Sequence, residues 1–227
     1  TEFLPISSTG HLILAAKLLG YLQTNFLKSF EIAIQLGSIF SVIVLYGKSL
    51  LREREVWKKV LVGFIPTAIV GGLLYKVVKD VFLGNHQIVL WSLFIGGLIL
   101  VIFDSLHKDE RSSIDKITDI PYKVVILIGL FQSLAMIPGV SRAAATIIGG
   151  LTCGIKRKTI VEFSFLLAIP TMLAATGLDI MKSAADFSSD QLVCFGAGFL
   201  VSFIVALLTI RFLLKFIQQH NFVLFGV

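Results

Sequence analysis

Residues 124–155 read VVILIGLFQSLAMIPGVSRAAATIIGGLTCGI. The stretch is apolar enough for a membrane span, yet Pro138 and Gly139 break it midway and Arg142 follows close behind. Either it crosses once, or it dips in and returns to the face it left. The basic residues around it decide. If it returns, one side holds Lys48, Arg52, Arg54, Lys58, Lys59, Lys108, Arg111, Lys116, Lys123, Lys156, Arg157, Lys158, Arg211 and Lys215. The other side then holds only Lys17, Lys28, Lys76, Lys79 and Lys182. A single crossing would move the KRK run at 156–158 and Arg211 to the face opposite the earlier basic loops and weaken that asymmetry. Cytoplasmic loops carry the excess of lysine and arginine, so the basic side is cytoplasmic and the stretch is a re-entrant hairpin. Non-helical backbone at membrane depth is tolerated only where protein or a water-filled cavity shields it. The break is therefore a candidate site wall.

Composition points the same way. The chain is 56% hydrophobic and 15% charged, with a mean hydropathy of +0.91, far from an average soluble domain. Crossing a hydrocarbon core about 30 Å thick takes roughly 20 apolar residues. Phe30–Gly47, Val60–Tyr75, Ile88–Phe103, Ile160–Met181 and Leu192–Leu214 qualify or come close, and NFVLFGV at 221–227 looks like the opening of another span. A large soluble protein would need polar faces on most helices, and these segments are apolar all round. The net charge of +6 sits in loops flanking spans, so topology explains it and no nucleic-acid partner is expected. Cys153 and Cys194 lack C-x-x-C spacing and are expected to be buried small hydrophobes rather than redox or metal groups. No basic n-region opens the chain, so no cleavable signal is read there, and both ends are expected to continue.

The broken stretch has a counterpart in EFLPISSTGHLIL at 2–14. Pro5 precedes Ser8 by three residues, as Pro138 precedes Ser141. Glu31 follows Ser8 by 23 residues and Glu162 follows Ser141 by 21, each opening an apolar span. Under the topology above the two hairpins enter from opposite faces, the arrangement of an inverted repeat whose broken segments meet near the midplane to form a binding site. The expected fold is an all-α polytopic membrane protein forming one integral membrane domain over 1–227. Its inverted-topology repeats cover about 1–104 and about 121–227, with two re-entrant helical hairpins.

An ionised side chain at the bilayer centre costs about 2.5–3.5 kcal/mol on insertion scales, so such groups face a polar interior. They are few here: Glu2, Glu31, Arg142 and Glu162, with Asp104 and Asp179 near span ends, joined by His11 and several serines. One arginine against three glutamates leaves surplus negative charge, which a bound cation or a proton would relieve. An arginine at a Gly/Ser-opened helix start suits a phosphate. A serine with a histidine three residues on can be activated as a nucleophile, or the histidine can itself be base or nucleophile. Acids holding Mg²⁺ or Ca²⁺ would neutralise phosphate oxygens. Together these suggest phosphoryl chemistry on a lipid. Against them, Ser-x-x-His occurs by chance in many chains and an intramembrane Arg–Glu pair is as often structural. Thr146, four residues after Arg142, either shares its helix face or packs between helices. His86, His107 and His220 read as interfacial, and Trp57 and Trp91 as aromatic-belt residues.

The stretches TEFLPISSTGHLIL, FEIAIQLGSI, PGVSRAAATI and EFSFLLAIP follow in order over nearly the whole chain. They strongly resemble the undecaprenyl-pyrophosphate phosphatase family, also called bacitracin-resistance proteins. The resemblance implies an enzyme of the bacterial inner membrane with inverted repeats, its site opening mainly to the periplasmic or extracellular side. Its substrate would be the C55 polyprenyl diphosphate carrier, from which it removes one phosphate for reuse of the monophosphate in cell-wall synthesis. By motif, Glu2 matches the second acid of an E-x-x-x-E pair that binds the divalent cation, Mg²⁺ or Ca²⁺, with its partner four residues before Thr1. Ser7, Ser8, Thr9 and His11 match the S-S-T-G-H element, and Ser141 and Arg142 the P-G-x-S-R element, whose arginine would clamp the diphosphate. Ser8 as nucleophile with His11 as base is preferred over His11 as nucleophile, and both stay open. Thr146 joins the expected substrate-binding set, and Glu31 and Glu162 take secondary roles.

One departure stands out: Ala143 and Ala144 occupy positions where the family commonly has Ser-Gly. A hydroxyl and some backbone freedom are lost, from which altered affinity rather than lost activity is expected. The rival is a lipid-carrier translocase that binds the head group without hydrolysis. It would need cavities reachable from both faces and would have no use for Ser8 and His11 as a reactive pair. Whether the chain forms a homo-oligomer is left open.

Overall fold

A computed structural model describes residues 1–21, 24–77, 86–107, 113–183 and 189–227. Of the basic residues used for topology, Lys79, Lys108 and Arg111 lie outside the described residues, as do the side chains of Lys28, Lys48, Arg52, Lys76 and Lys182. The side chains of His86 and Asp179 lie outside them too.

Among the described residues every named element is helical. In chain order these are α1 (Ser8–Leu18), α2 (Asn25–Arg52), α3 (Arg54–Val77), α4 (His86–Leu106), α5 (Tyr122–Ser133), α6 (Arg142–Thr152), α7 (Arg157–Ser183), α8 (Ser189–Phe216) and α9 (Val223–Gly226). Four stretches are long and apolar enough to cross a membrane: Arg54–Leu74, Gln87–Leu106, Arg157–Gly177 and Gln191–Phe216. They coincide with four of the expected spans. The fifth, Phe30–Gly47, falls inside α2, whose described apolar part is the shorter Ile34–Gly47. The terminal NFVLFGV contributes the short α9, anchored by a fully buried Phe222.

Exposure marks a membrane protein. The outward faces of α4 and α8 are apolar, with Trp91, Phe94 and Leu98 on one and Leu200, Ile204 and Leu208 on the other. A surface helix of a water-soluble domain turns such residues inward. The same fact corrects the cysteine expectation: Cys194 on α8 is exposed and Cys153 only half-buried. In an apolar run that faces lipid, nothing requires a small hydrophobe to turn inward. The core instead forms around α7, where Ile160, Phe163, Phe165 and Leu167 are fully buried. Against it pack Val42 of α2, Val60 of α3, Ile128 of α5 and Ile147 of α6. Lipid gives no hydrophobic drive between helices, so close approach through small residues carries association. A Cβ on Gly129 of α5 would lie 2.2 Å from the Gly63 carbonyl of α3, and one on Gly37 of α2 would lie 2.4 Å from the Phe199 carbonyl of α8.

Several basic loops gather at one end of the bundle. Lys59 Nζ donates to the carbonyls of Thr118 (2.5 Å) and Ile120 (2.6 Å), and Tyr122 Oη donates to Glu55 (2.5 Å). Lys156 pairs with Asp115 at 3.2 Å, and its backbone N–H donates to the Ile114 carbonyl at 2.9 Å. Tyr122, where α5 starts, and Ile155, just past α6, therefore share that end. The two helices have 12 and 11 residues, roughly 18 and 16 Å at 1.5 Å per residue. They pack on each other. Pro138 and Gly139 (φ 96°) turn the chain between them, and a Cβ on Gly139 would strike the Val89 carbonyl at 2.6 Å. The pair returns to the end it left.

At this end, buried Asp104 of α4 accepts from Arg157 Nη1 at 2.6 Å and from the Phe222 N–H at 2.5 Å. The guanidinium lies 4.7 Å from the Phe222 ring. One carboxylate thus ties α4, α7 and the segment leading into α9. Removing one member of a buried pair strands the other charge, at about 3–5 kcal/mol. Asp104→Ala is expected to lose stability of that order in thermal unfolding in detergent. Lys58→Ala, whose partner Glu55 lies 3.1 Å away at the surface, should leave the thermal midpoint nearly unchanged.

Candidate functional site

Arg142 opens α6 because Ser141 stops the preceding turn. Ser141 is extended (φ −74°, ψ 120°), and its Oγ accepts from the Ala144 N–H at 3.2 Å, an N-cap. Ser7 caps α1 in the same way, accepting from the Gly10 N–H at 3.4 Å. It does so at φ 59°, the one positive φ among described non-glycine residues. Such a conformation costs about 1–3 kcal/mol and persists only where its surroundings hold it. The caps therefore pair Ser7 with Ser141, one residue off the Ser8–Ser141 match expected from proline spacing. The offset leaves Ser8 at the first helical position with its hydroxyl uncommitted to capping.

His11 Nδ1 lies 2.9 Å from the Ser7 carbonyl. A carbonyl only accepts, so Nδ1 carries a proton, and in the neutral imidazole the lone pair would lie on Nε2. Among the described residues no hydrogen bond joins Ser8 to His11. Ser8 faces a cavity of ≈ 130 Å³ between α1, α2 and α8, together with Glu2, Gln35, Ser38, Ser202 and Thr209. His11, three residues on in the same helix, is exposed and is not among the residues lining that cavity.

Glu2, which lines the cavity with Ser8, meets Arg142, 140 residues away in sequence. Arg142 Nη2 is 3.7 Å from Glu2 Oε1 and donates to the Glu2 carbonyl at 3.3 Å, while Nη1 donates to the Ser164 carbonyl of α7 at 3.0 Å. Glu2 Oε2, Arg142 Nε and the Ser164 hydroxyl are all buried without a hydrogen-bond partner. Buried polar groups are nearly always satisfied. The three orphans lie on three touching residues, of which Glu2 also lines the cavity.

Thr9 is exposed, and Ser141 is buried in its capping role. Thr146 is fully buried, its hydroxyl donating to the Arg142 carbonyl at 2.9 Å within its own helix. Glu31 is half-buried on α2, four residues before Gln35, a spacing that puts them on one face. Glu162 is half-buried on α7 beside Tyr46, and the arginine's carboxylate partner is Glu2 rather than Glu162. Ala143 is 1% exposed and packs in the core, so a hydroxyl there would enter packed side chains. Sequence reasoning missed the Ser164 carbonyl, Gln35, Ser38 and Ser202. A backbone acceptor leaves no mark on residue identity, and the serines carry no motif.

For a divalent cation the donor set is lean. No group of three or more His, Cys, Asp or Glu residues could hold a metal among the described residues. Mg²⁺ is, however, commonly held by one or two carboxylates together with substrate phosphates and water. A single orphaned carboxylate oxygen beside a cavity of hydroxyl and amide oxygens fits that pattern.

A family model described as "Bacitracin resistance protein BacA" matches residues 1–227. An "Undecaprenyl-diphosphatase" of Aquifex aeolicus (strain VF5) is 49% identical over 226 residues, covering 100% of this chain and 88% of that protein. One of Sulfurihydrogenibium sp. (strain YO3AOP1) is 50% identical over 227 residues, covering 100% and 89%. One of Methanococcus aeolicus is 45% identical over 227 residues, covering 100% and 88%.

Proposed function

The chain belongs to the BacA family of bacitracin resistance proteins, and on that premise we propose that it is an undecaprenyl-diphosphatase. It hydrolyses undecaprenyl diphosphate to the monophosphate and phosphate, returning the lipid carrier to cell-wall synthesis. The observation that carries this function is the buried Glu2–Arg142 pair, with its orphaned polar atoms, set against the cavity that Ser8 lines. The relatives' names favour hydrolysis over carriage without it.

The terminal phosphate enters beside Ser8. Arg142 gives it a planar fork of N–H donors, including the Nε–H that is otherwise unpartnered, and the first N–H groups of α6 add to that field. Ser8 Oγ attacks the terminal phosphorus while its proton passes to His11 Nε2, freed for the task by the Nδ1–H bond to Ser7. The bond from phosphorus to the bridging oxygen breaks, and undecaprenyl phosphate leaves with the electron pair. His11 passes that proton to the bridging oxygen of the departing monophosphate, takes one from water as that water attacks the phosphoserine, and returns it to Ser8 Oγ as phosphate departs. His11 as the nucleophile is the variant to exclude. Glu2 would hold the cation, Mg²⁺ or Ca²⁺, which when bound offsets charge on the phosphate oxygens.

The membrane arrangement follows from the same residues. The α5–α6 pair is a re-entrant hairpin whose tip carries Arg142 into the bilayer. The basic loops at its outer ends face the cytoplasm, so the site opens mainly to the periplasmic side of the inner membrane. The Ser7 and Ser141 caps belong to inverted repeats over about 1–104 and about 121–227. Incubating the purified chain with undecaprenyl diphosphate and separating the lipids tests the function. Conversion to the monophosphate is expected; intact diphosphate retained by the protein would favour a carrier.

A further inference from the structure

The tripeptide Ile-Pro-Thr occurs twice, at 65–67 in α3 and at 169–171 in α7. One side chain joins both copies. Gln132, in the last turn of α5 and 1% exposed, donates through Nε2 to Thr67 Oγ1 at 2.8 Å and to Thr171 Oγ1 at 3.1 Å. Each threonine has already spent its hydroxyl hydrogen, Thr67 on the Gly129 carbonyl at 3.0 Å and Thr171 on the Leu167 carbonyl at 2.7 Å. Both therefore face Gln132 only as acceptors, which fixes the amide with its NH₂ toward them. Gln132 Oε1 is left buried without a partner.

That orphan matters. Leaving a buried acceptor unsatisfied offsets what the two donated hydrogen bonds contribute, so an apolar side chain here would serve stability at least as well. The threonines would lose nothing, since their own hydrogens stay bonded. Stability does not account for the glutamine; position does. Two residues after Gln132 the chain enters the turn 134–141 that delivers Ser141 and Arg142. Arg142 grips the Ser164 carbonyl of α7, and Thr171 lies seven residues further along that helix, on the same face and roughly 10 Å away. Both arms of the hairpin are thus pinned to one face of α7, α6 through Arg142 and α5 through Gln132.

We propose that Gln132 is a positioning residue, which sets the depth and register of the hairpin tip, and hence of Arg142, by bridging the two Ile-Pro-Thr threonines. The inference rests on the diphosphatase function above. Its test uses the full chain in detergent with undecaprenyl diphosphate, comparing wild type, Gln132→Met, Thr67→Val and Thr171→Val. Gln132→Met should keep or raise the thermal midpoint, lower kcat by about 10- to 100-fold, and speed amide exchange over residues 134–142. Each valine variant should show a smaller loss of kcat. In an Arg142→Lys background Gln132→Met should add less than about twofold, because residues acting through one group are not additive. A folded Gln132→Met with kcat within about twofold of wild type and unchanged tip exchange would overturn the proposal. So would full additivity with Arg142→Lys, or wild-type kcat in both valine variants should Gln132→Met fail to fold. If wild type itself leaves the lipid uncleaved, the function fails instead, and exchange at 134–142 still decides the positioning role.

Discussion

Arg142→Lys is expected to lower kcat/KM for phosphate release by about 10²-fold and Arg142→Ala by up to about 10³-fold, the range seen when one preorganised donor to a developing oxyanion is removed. The guanidinium reaches two anchors at once, the Ser164 carbonyl and Glu2. That leaves its third nitrogen, Nε, pointing a hydrogen into buried space without a partner. An ammonium keeps the charge but has no planar fork, so it cannot hold both anchors and a phosphate together. Alanine also strands the buried Glu2 carboxylate, and part of its effect is lost stability. Lysine separates the two contributions. A lysine variant with kcat/KM within about threefold of wild type would mean that the guanidinium is only a structural partner of Glu2.

Ser8→Ala should be the most damaging single change, lowering kcat on the order of 10³-fold or more, as loss of a covalent nucleophile does. The cap offset supports this choice. Ser7 spends its side chain on the Gly10 N–H, whereas Ser8 faces the cavity beside Glu2. Parallel quenching in acid and in alkali, with substrate labelled in the terminal phosphate, checks it. Phosphoserine survives acid and is lost in alkali, and phosphohistidine does the reverse. An acid-stable label in His11→Ala that is absent from Ser8→Ala is expected. An alkali-stable label that persists in Ser8→Ala would make His11 the nucleophile.

Much of this architecture was legible in the sequence, for reasons tied to particular residues. Long apolar runs give away α3, α4, α7 and α8, since nothing else in a chain of this size needs them. Pro138 and Gly139 announce the turn before Arg142 because one removes an N–H and the other takes φ 96°. The Glu2–Arg142 meeting was legible only as surplus charge in need of company. Spacing alone could not say which of Ser7 and Ser8 caps α1, since neighbouring serines are equal until a backbone angle separates them. The apolar run around Cys194 gave no hint of its exposure, because in lipid the outward face is as greasy as the core. The Ser164 carbonyl was out of reach altogether, being backbone, and the Gln132 bridge appears only once three helices are brought together.

The central claim is that the Glu2–Ser8–His11–Arg142 site removes the terminal phosphate of undecaprenyl diphosphate. The measurement that tests it most directly is phosphate release from that lipid by the purified chain, first with Mg²⁺ and then with excess chelator. One phosphate released per monophosphate formed, halted by chelator and restored by added Mg²⁺, is the expected result. Release that continues undiminished in chelator would contradict the role given to Glu2, and no release from bound lipid would contradict the enzyme itself.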